Sequence, residues 1–300
     1  MKKMYIQLKG GLGNQLYIVA TGLSLSKSLG IELIADSSFF NRYKLHNVTV
    51  NKFVKDLVIK DISLKIKDIN IFNFKKKLFY TIKESKAGFD KLILKKVKKK
   101  NNFLDFYLIG YFQSVNYFKD SLGELKQKIN ANILKEFPEL KSKKVKEILD
   151  NSIAIHIRRK DKLSGINKKI YGNISKEEIK RIVQSIYKKN KYKYLLLIGD
   201  DFQFIEELQK ELLTKFNALC SSSVNKHSSI MHDFYYLMNC KGLILSNSSF
   251  GLWAGYLSDS KNIFYPNPLF PEPLHHSIKS LCKDDIILKK WKTYDTIYDR

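Results

Sequence analysis

The chain is 300 residues long, 44% hydrophobic, and carries a formal net charge of +25. That much apolar sequence buries one large core or two moderate ones, which excludes a disordered chain. Its three cysteines, Cys220, Cys240 and Cys282, are odd in number and widely spaced; this excludes a disulfide framework and a CxxC-type zinc site and points to buried thiols in a reducing cytoplasm.

The charge alone selects no partner. Compositional drift toward Lys, a surface facing an anionic membrane, and a nucleic-acid surface all fit it, but no recognised nucleic-acid module is present and no nucleic acid is expected as partner. At the N-terminus only a short apolar run precedes a glycine loop, too short for a signal-peptide core. No later stretch approaches the roughly 18 apolar residues of a membrane span, so a soluble, cytoplasmic chain with its N-terminus intact is expected.

Met4 to Leu8 reads as a strand, Lys9 to Asn14 as a glycine loop, Gln15 to Leu29 as a helix and Ile31 to Ala35 as a strand, the alternation that builds a parallel sheet. From about 51 to 102 the pattern loosens into Lys-rich, aromatic-studded segments such as IFNFKKKLFY and KLILKKVKKKNNF, which hold no clear strand or helix period. Two readings stand for this stretch: a solvated helical region with aromatic anchors, or a subregion facing a membrane surface or an acceptor. Pro138 and the charged KSKKVKE then interrupt the apolar pattern, which places a domain boundary between 1–145 and 146–300.

A second αβ series follows. SIAIHI reads as a buried strand, and Ser175 to Glu178 as a capping box opening a helix with Ile179, Ile182, Val183 and Ile186 on one face. Next come a strand over Tyr194 to Gly199, helices over Phe202 to Leu213 and Ser229 to Met238, a strand over Gly242 to Ser246 and a helix over Phe250 to Leu257. The fold class expected is α/β, with two Rossmann-like domains facing a cleft.

Three constellations carry chemistry. KGGLGNQL sits where a strand hands over to a helix; its glycines, with Asn14 and Gln15 as amide donors, suit either a plain tight turn or a phosphate site. HIRRKD lies at the carboxyl end of SIAIHI, where open αβ sheets bind ligands. Arg is scarce in this chain, yet two adjacent arginines stand there, and guanidinium forks match diphosphate oxygens. One of Arg158 and Arg159 is expected to face a diphosphate and the other to brace the loop. In LSNSSFGLWAGYL, Ser248 and Ser249 stand at a helix start, where they cap the helix or hold a phosphate. Asp233, on the preceding helix, suits a guanine edge as acceptor.

Together, GGLGNQL, GYFQSVNYF at 110–118, HIRRKD and DFYYLMNCKGLILSNSSFGLWAGYL resemble glycosyltransferase family 11, the alpha-1,2-fucosyltransferase family, and more distantly the alpha-1,6- and protein O-fucosyltransferases. The resemblance implies a GT-B architecture in which an acceptor-side domain over 1–145 precedes a GDP-sugar-binding domain over 146–300. It also implies inverting transfer from GDP-fucose, with no cofactor and no metal, that forms an alpha-1,2 linkage to galactose; the residues by themselves leave open a transferase of another nucleotide sugar and a non-catalytic basic protein that binds a nucleotide or polyanion. His156, Arg158 and Arg159 would contact the donor and Asp233 the guanine, with Asn247, Ser248, Ser249 and Phe250 closing around the nucleotide. Gly11, Gly13 and Asn14 would face the diphosphate or the fucose. Arg158, Asp161 and Asn14 are the catalytic candidates, Asp161 either as general base or as the carboxylate that orients Arg158. Lys160 replaces a frequent Gly, and Leu252 a usual Trp. The resemblance further suggests a lipid-linked acceptor at the inner face of a bacterial membrane, where basic segments such as Lys95 to Lys100 would dock.

Overall fold

A computed structural model of the protein describes residues 2–43, 45–63, 79–84, 88–99, 104–160, 171–187, 192–224, 229–271 and 283–298. The chain divides into two units, Met1–Asn132 with Leu281–Ile286, and Ile133–Ser280 with Ile287–Arg300.

The first unit holds a parallel sheet of β1 (Lys3–Gln7), β2 (Glu32–Asp36), β3 (Val58–Lys60), β4 (Phe79–Lys83) and β5 (Asp105–Ile109), in the order β3-β2-β1-β5-β4. Helix α1 (Leu12–Leu29) joins β1 to β2 and is buried without a break from Leu16 to Ala20, so its sequence is apolar all round rather than along one stripe. It starts at Leu12 and not at Gln15, so Gly13 and Asn14 belong to its first turn and not to a loop.

The stretch without a clear period contributes β4 and helix α2 (Lys91–Lys99). As the edge strand beside β5, β4 buries only Ile82, and an alternation that is never completed leaves no pattern to read. In α2, Ile93 and Val97 are buried, one turn apart, among lysines. The IFNF portion lies outside the described residues. Asp285, on the segment counted with this unit, accepts from the Phe89 N–H at 2.9 Å, the Ser114 hydroxyl at 3.2 Å and the Asn116 amide at 3.0 Å.

The second unit holds a parallel sheet of β6 (Ser152–Ile157), β7 (Tyr194–Gly199), β8 (Ala218–Cys220), β9 (Gly242–Ile244), β10 (Asn262–Asn267) and β11 (Lys292–Asp295), in the order β11-β10-β9-β6-β7-β8. Helix α3 (Leu122–Glu136) belongs to the first unit up to Asn132 and gives only its last turn to the second, whose longer helices are α4 (Lys143–Asp150), α5 (Lys176–Tyr187), α6 (Phe202–Phe216), α7 (Ile230–Asn239) and α8 (Ser249–Leu257). Ile153, Ile155 and Ile157 of β6 join Ile179, Ile182, Val183 and Ile186 of α5 and Leu208 and Leu212 of α6 in one core. The strand period therefore turns Ala154 and His156 to the other face.

The capping box at α5 is only half formed. The Ser175 hydroxyl accepts from the Glu178 N–H at 3.2 Å, but the Glu178 carboxylate takes the Arg181 guanidinium, with both bonds at 2.7 Å, and the Ile297 N–H at 3.0 Å. A charged fork outcompetes a neutral backbone donor for the same oxygens. Cys220 and Cys240 are buried free thiols, as expected, and burial pushes the Cys240 thiol up to about 12; Cys282 lies outside the described residues. Among the described residues, no helix is long and apolar enough to cross a membrane.

Candidate functional site

In each sheet the chain leaves the central strand toward one neighbour and later returns on the other side, which opens a crevice at the carboxyl ends of the strands. In the second unit that crevice lies between β6 and β9. His156, near the end of β6 and 5% exposed, spans it: Nδ1 and the Ser246 Oγ stand 2.8 Å apart. Its ring lies 5.4 Å from that of Phe250, which in turn packs edge-on against Phe234 at 5.3 Å. This closeness needs Gly251, where a Cβ would stand 2.7 Å from His156 Nδ1.

Past the end of β6 the two arginines diverge. Arg159 is held on three sides: its Nη1 donates to the Ile174 carbonyl at 3.1 Å, its Nε to Asp201 at 3.4 Å, and its guanidinium lies 3.8 Å above the Phe204 ring. Arg158 pairs with Asp200 at 3.0 Å. The other oxygen of Asp200 accepts the Arg159 backbone N–H at 2.8 Å, so one carboxylate holds both ends of the turn.

Asn247 donates to the Tyr171 carbonyl at 2.9 Å. Ser248 is the extended residue before α8, and its hydroxyl makes no capping bond. The first intrahelical bond runs from the Leu252 N–H to the Ser248 carbonyl, so the N–H groups of Ser249, Phe250 and Gly251 are left without an acceptor inside the helix. Side-chain capping by Ser248, one of the two readings of these serines, is not the arrangement formed. His156, Arg158, Arg159, Ser246, Asn247 and Tyr298 line one pocket at this end of the sheet. Asp233 lies half-buried in the first turn of α7, beside Phe234. Asp161 lies outside the described residues.

The first unit has its own crevice, between β1 and β5. Gly11 precedes α1 in an extended conformation and Gly13 is buried in the first turn. Gln113, after β5, donates to the Asn14 Oδ1 at 2.8 Å across the crevice. Gln15 is not a ligand donor as suggested by sequence: it is fully buried, its amide nitrogen donates to the Gly10 and Asn47 carbonyls, and its oxygen accepts from the Thr49 and Val50 N–H groups. Most of GYFQSVNYF is likewise architectural, with Ser114 and Asn116 on Asp285 and the Tyr117 hydroxyl accepting from the Asp90 N–H at 2.8 Å.

Sequence reasoning missed Ser246, Asp200 and Gln113. Asp200 had a signal: YLLLIGDD ends a strand on two acids just as SIAIHIRR ends one on two arginines.

Residues 2–295 match Glycosyl transferase family 11. The chain is 26% identical over 279 residues to an alpha-1,2-colitosyltransferase of Escherichia coli, covering 86% of this chain and 89% of that one. It is 24% identical over 297 residues to the Escherichia coli O-antigen biosynthesis glycosyltransferase WbnK, covering 88% and 93%. A solved structure of a mutant Arabidopsis thaliana FUT1 in complex with GDP superposes with a TM-score of 0.53 at 14% identity, over 91% of this chain and 72% of that one. That likeness concerns the fold, which is α/β and of GT-B type, with two Rossmann-like units.

Proposed function

Because the chain belongs to glycosyltransferase family 11, and is therefore a glycosyltransferase, we propose that it moves fucose from GDP-fucose to a glycan hydroxyl. The transfer is inverting and needs no divalent metal, and it forms an alpha-1,2 linkage to galactose. The observation that carries this reading is the crevice between β6 and β9, where a guanidinium, a buried histidine and the open N–H groups of α8 gather at one strand end. Departing GDP gathers negative charge on its diphosphate, and fixed donors aimed at that charge lower the barrier where a metal would otherwise act.

In this reading Arg158 exchanges its Asp200 partner for the diphosphate, while Arg159 braces the turn. The hydrogen bond between His156 Nδ1 and the Ser246 hydroxyl holds the imidazole ring toward the donor. Asp233 reads the guanine, and Asn247, Ser248, Ser249 and Phe250 close around the nucleotide. Asn14, with Gly11 and Gly13, serves the diphosphate or the fucose. Asp161 is assigned the base role on its sequence position alone. The O-antigen biosynthesis relative supports a surface glycan as acceptor; a lipid carrier for it at the inner face of a bacterial membrane is part of the proposal. The colitosyl relative supports a second donor sugar with the same linkage.

Calorimetric titration in EDTA with GDP, GDP-fucose, GDP-mannose and a colitose donor tests the reading, with Arg158→Ala alongside. GDP and GDP-fucose are expected to bind without metal, and Arg158→Ala to weaken both by about tenfold to a hundredfold, the worth of one charge-assisted contact. No guanine-nucleotide binding would remove the donor assignment, and binding that needs added magnesium would remove the metal-free one.

A further inference from the structure

We infer that Glu84 is a positioning residue of the transfer site: it holds the turn over Gly110 to Gln113 in the conformation that delivers Gln113 to Asn14, and so fixes how the Asn14 amide faces a sugar or phosphate oxygen. The inference rests on the role proposed above for Asn14.

Glu84 is the residue after β4, and its backbone N–H donates to the Ile109 carbonyl at 2.8 Å, carrying the pairing with β5 one step further. Its carboxylate turns back over the next loop. Oε2 accepts from the Tyr111 N–H at 2.7 Å and Oε1 from the Phe112 N–H at 3.0 Å. Gly110 makes room for this: a Cβ there would stand 2.6 Å from the Glu84 Cβ and 2.7 Å from Oε2.

The turn so held is a strained one. Phe112 has φ +52° with its ring fully buried, a left-handed conformation that costs a bulky residue about 1–2 kcal/mol. A conformation of this kind persists only where its surroundings impose it, and here a half-buried carboxylate bonded to two successive N–H groups does so. The next residue is Gln113, which donates to the Asn14 Oδ1 at 2.8 Å. With Oδ1 taken, Asn14 presents its two amide hydrogens as donors.

The charges at this corner are kept at a cost. Burial pushes the Glu84 carboxyl above its ordinary range, with the two N–H donors acting against it, and burial pulls the Lys9 ammonium below its own. Lys9 Nζ lies 4.1 Å above the Tyr111 ring of the same turn. An edge strand that buries only Ile82 needs neither charge for its packing, whereas a turn that must aim one amide does.

The test uses Asn14→Ala, Glu84→Ala, Glu84→Gln, Gln113→Ala and the Asn14→Ala/Glu84→Ala double variant of the full chain. In nitrogen-15 spectra, the Asn14 side-chain amide pair, identified by its loss in Asn14→Ala, is expected to shift in Glu84→Ala and in Gln113→Ala. Turnover of GDP-fucose is expected to fall about tenfold or more in kcat for Glu84→Ala, the scale of a misplaced contact. Glu84→Gln, which keeps one acceptor oxygen, falls between. The double variant should be no slower than Asn14→Ala, because the two residues act as one unit. An unmoved Asn14 amide pair, or a double variant losing the product of both single losses, overturns the inference. Wild-type protein that leaves GDP-fucose untouched removes the donor assignment instead, and the amide spectrum still decides the coupling of Glu84 to Asn14.

Discussion

A histidine with 5% exposure holds its place only by what surrounds it, and at His156 the surroundings are a hydroxyl, an aromatic ring and a missing side chain. The missing side chain gives the sharpest test. Gly251→Ala puts a methyl 2.7 Å from a ring atom that is pinned, not at the end of a flexible chain. The expected result is a loss of about 1–3 kcal/mol, as for other overpacked sites, read as a lower Tm together with weaker GDP binding. Sequence alone singled out Arg158 and Arg159, because rare arginines at a strand end stand out. It did not give their partners. Ser246 lies 90 residues from His156 and Asp200 41 residues from Arg159, and contacts over such spans are set by the order of strands in the sheet, which no local period encodes. Gln15 failed in the opposite direction, since an amide beside a glycine loop looks the same whether it serves a ligand or the chain's own carbonyls.

Among the elements, those whose burial is strongly one-sided or complete were readable: β6 and β7 as buried runs, α5 from its isoleucine face, α6 to α8 to within a few residues. Among the elements that escaped, β4 sits at an edge and meets the core through a single side chain. The join between α5 and the last strand was hidden for another reason: it is made by two charged side chains of α5 on backbone groups far along the chain. Glu178 binds the Arg181 fork and the Ile297 N–H, while Arg181 also donates to the Asp295 carbonyl at 2.6 Å. The Arg181 bonds, and then the Ile297 N–H, hold the Glu178 carboxyl below its ordinary value of 4.5 against the opposing effect of burial. A carboxyl with a lowered folded value stabilises fully above its unfolded value, and that stabilisation is lost as pH falls through the folded one. Urea unfolding of wild type and Glu178→Gln is therefore expected to differ by about 2 kcal/mol near neutrality, the range for hydrogen bonds to a charged group, and to converge in acid. A difference independent of pH would mean that the carboxylate is not the tie.

For the whole molecule, the open quantity is the net charge of +25. If it serves a lipid-linked acceptor, exposed lysines on α2 such as Lys95 and Lys96 are placed to meet an anionic surface. At about 1 kcal/mol per cation near such a surface, reversing both to Glu is expected to reduce co-sedimentation with phosphatidylserine vesicles by roughly tenfold or more. Unchanged co-sedimentation would assign the charge to composition. The segment bearing Asp285 has a consequence of a different kind. It belongs to the first unit, yet about 150 residues of the second are synthesised before it. Until it leaves the ribosome, the Phe89 N–H, the Ser114 hydroxyl and the Asn116 amide lack the carboxylate they share in the finished fold. The half of the protein that is translated first is thus completed only after most of the second half has been made, and a nascent chain stalled before residue 285 holds an N-terminal sheet still missing its clasp and a second sheet still missing β11.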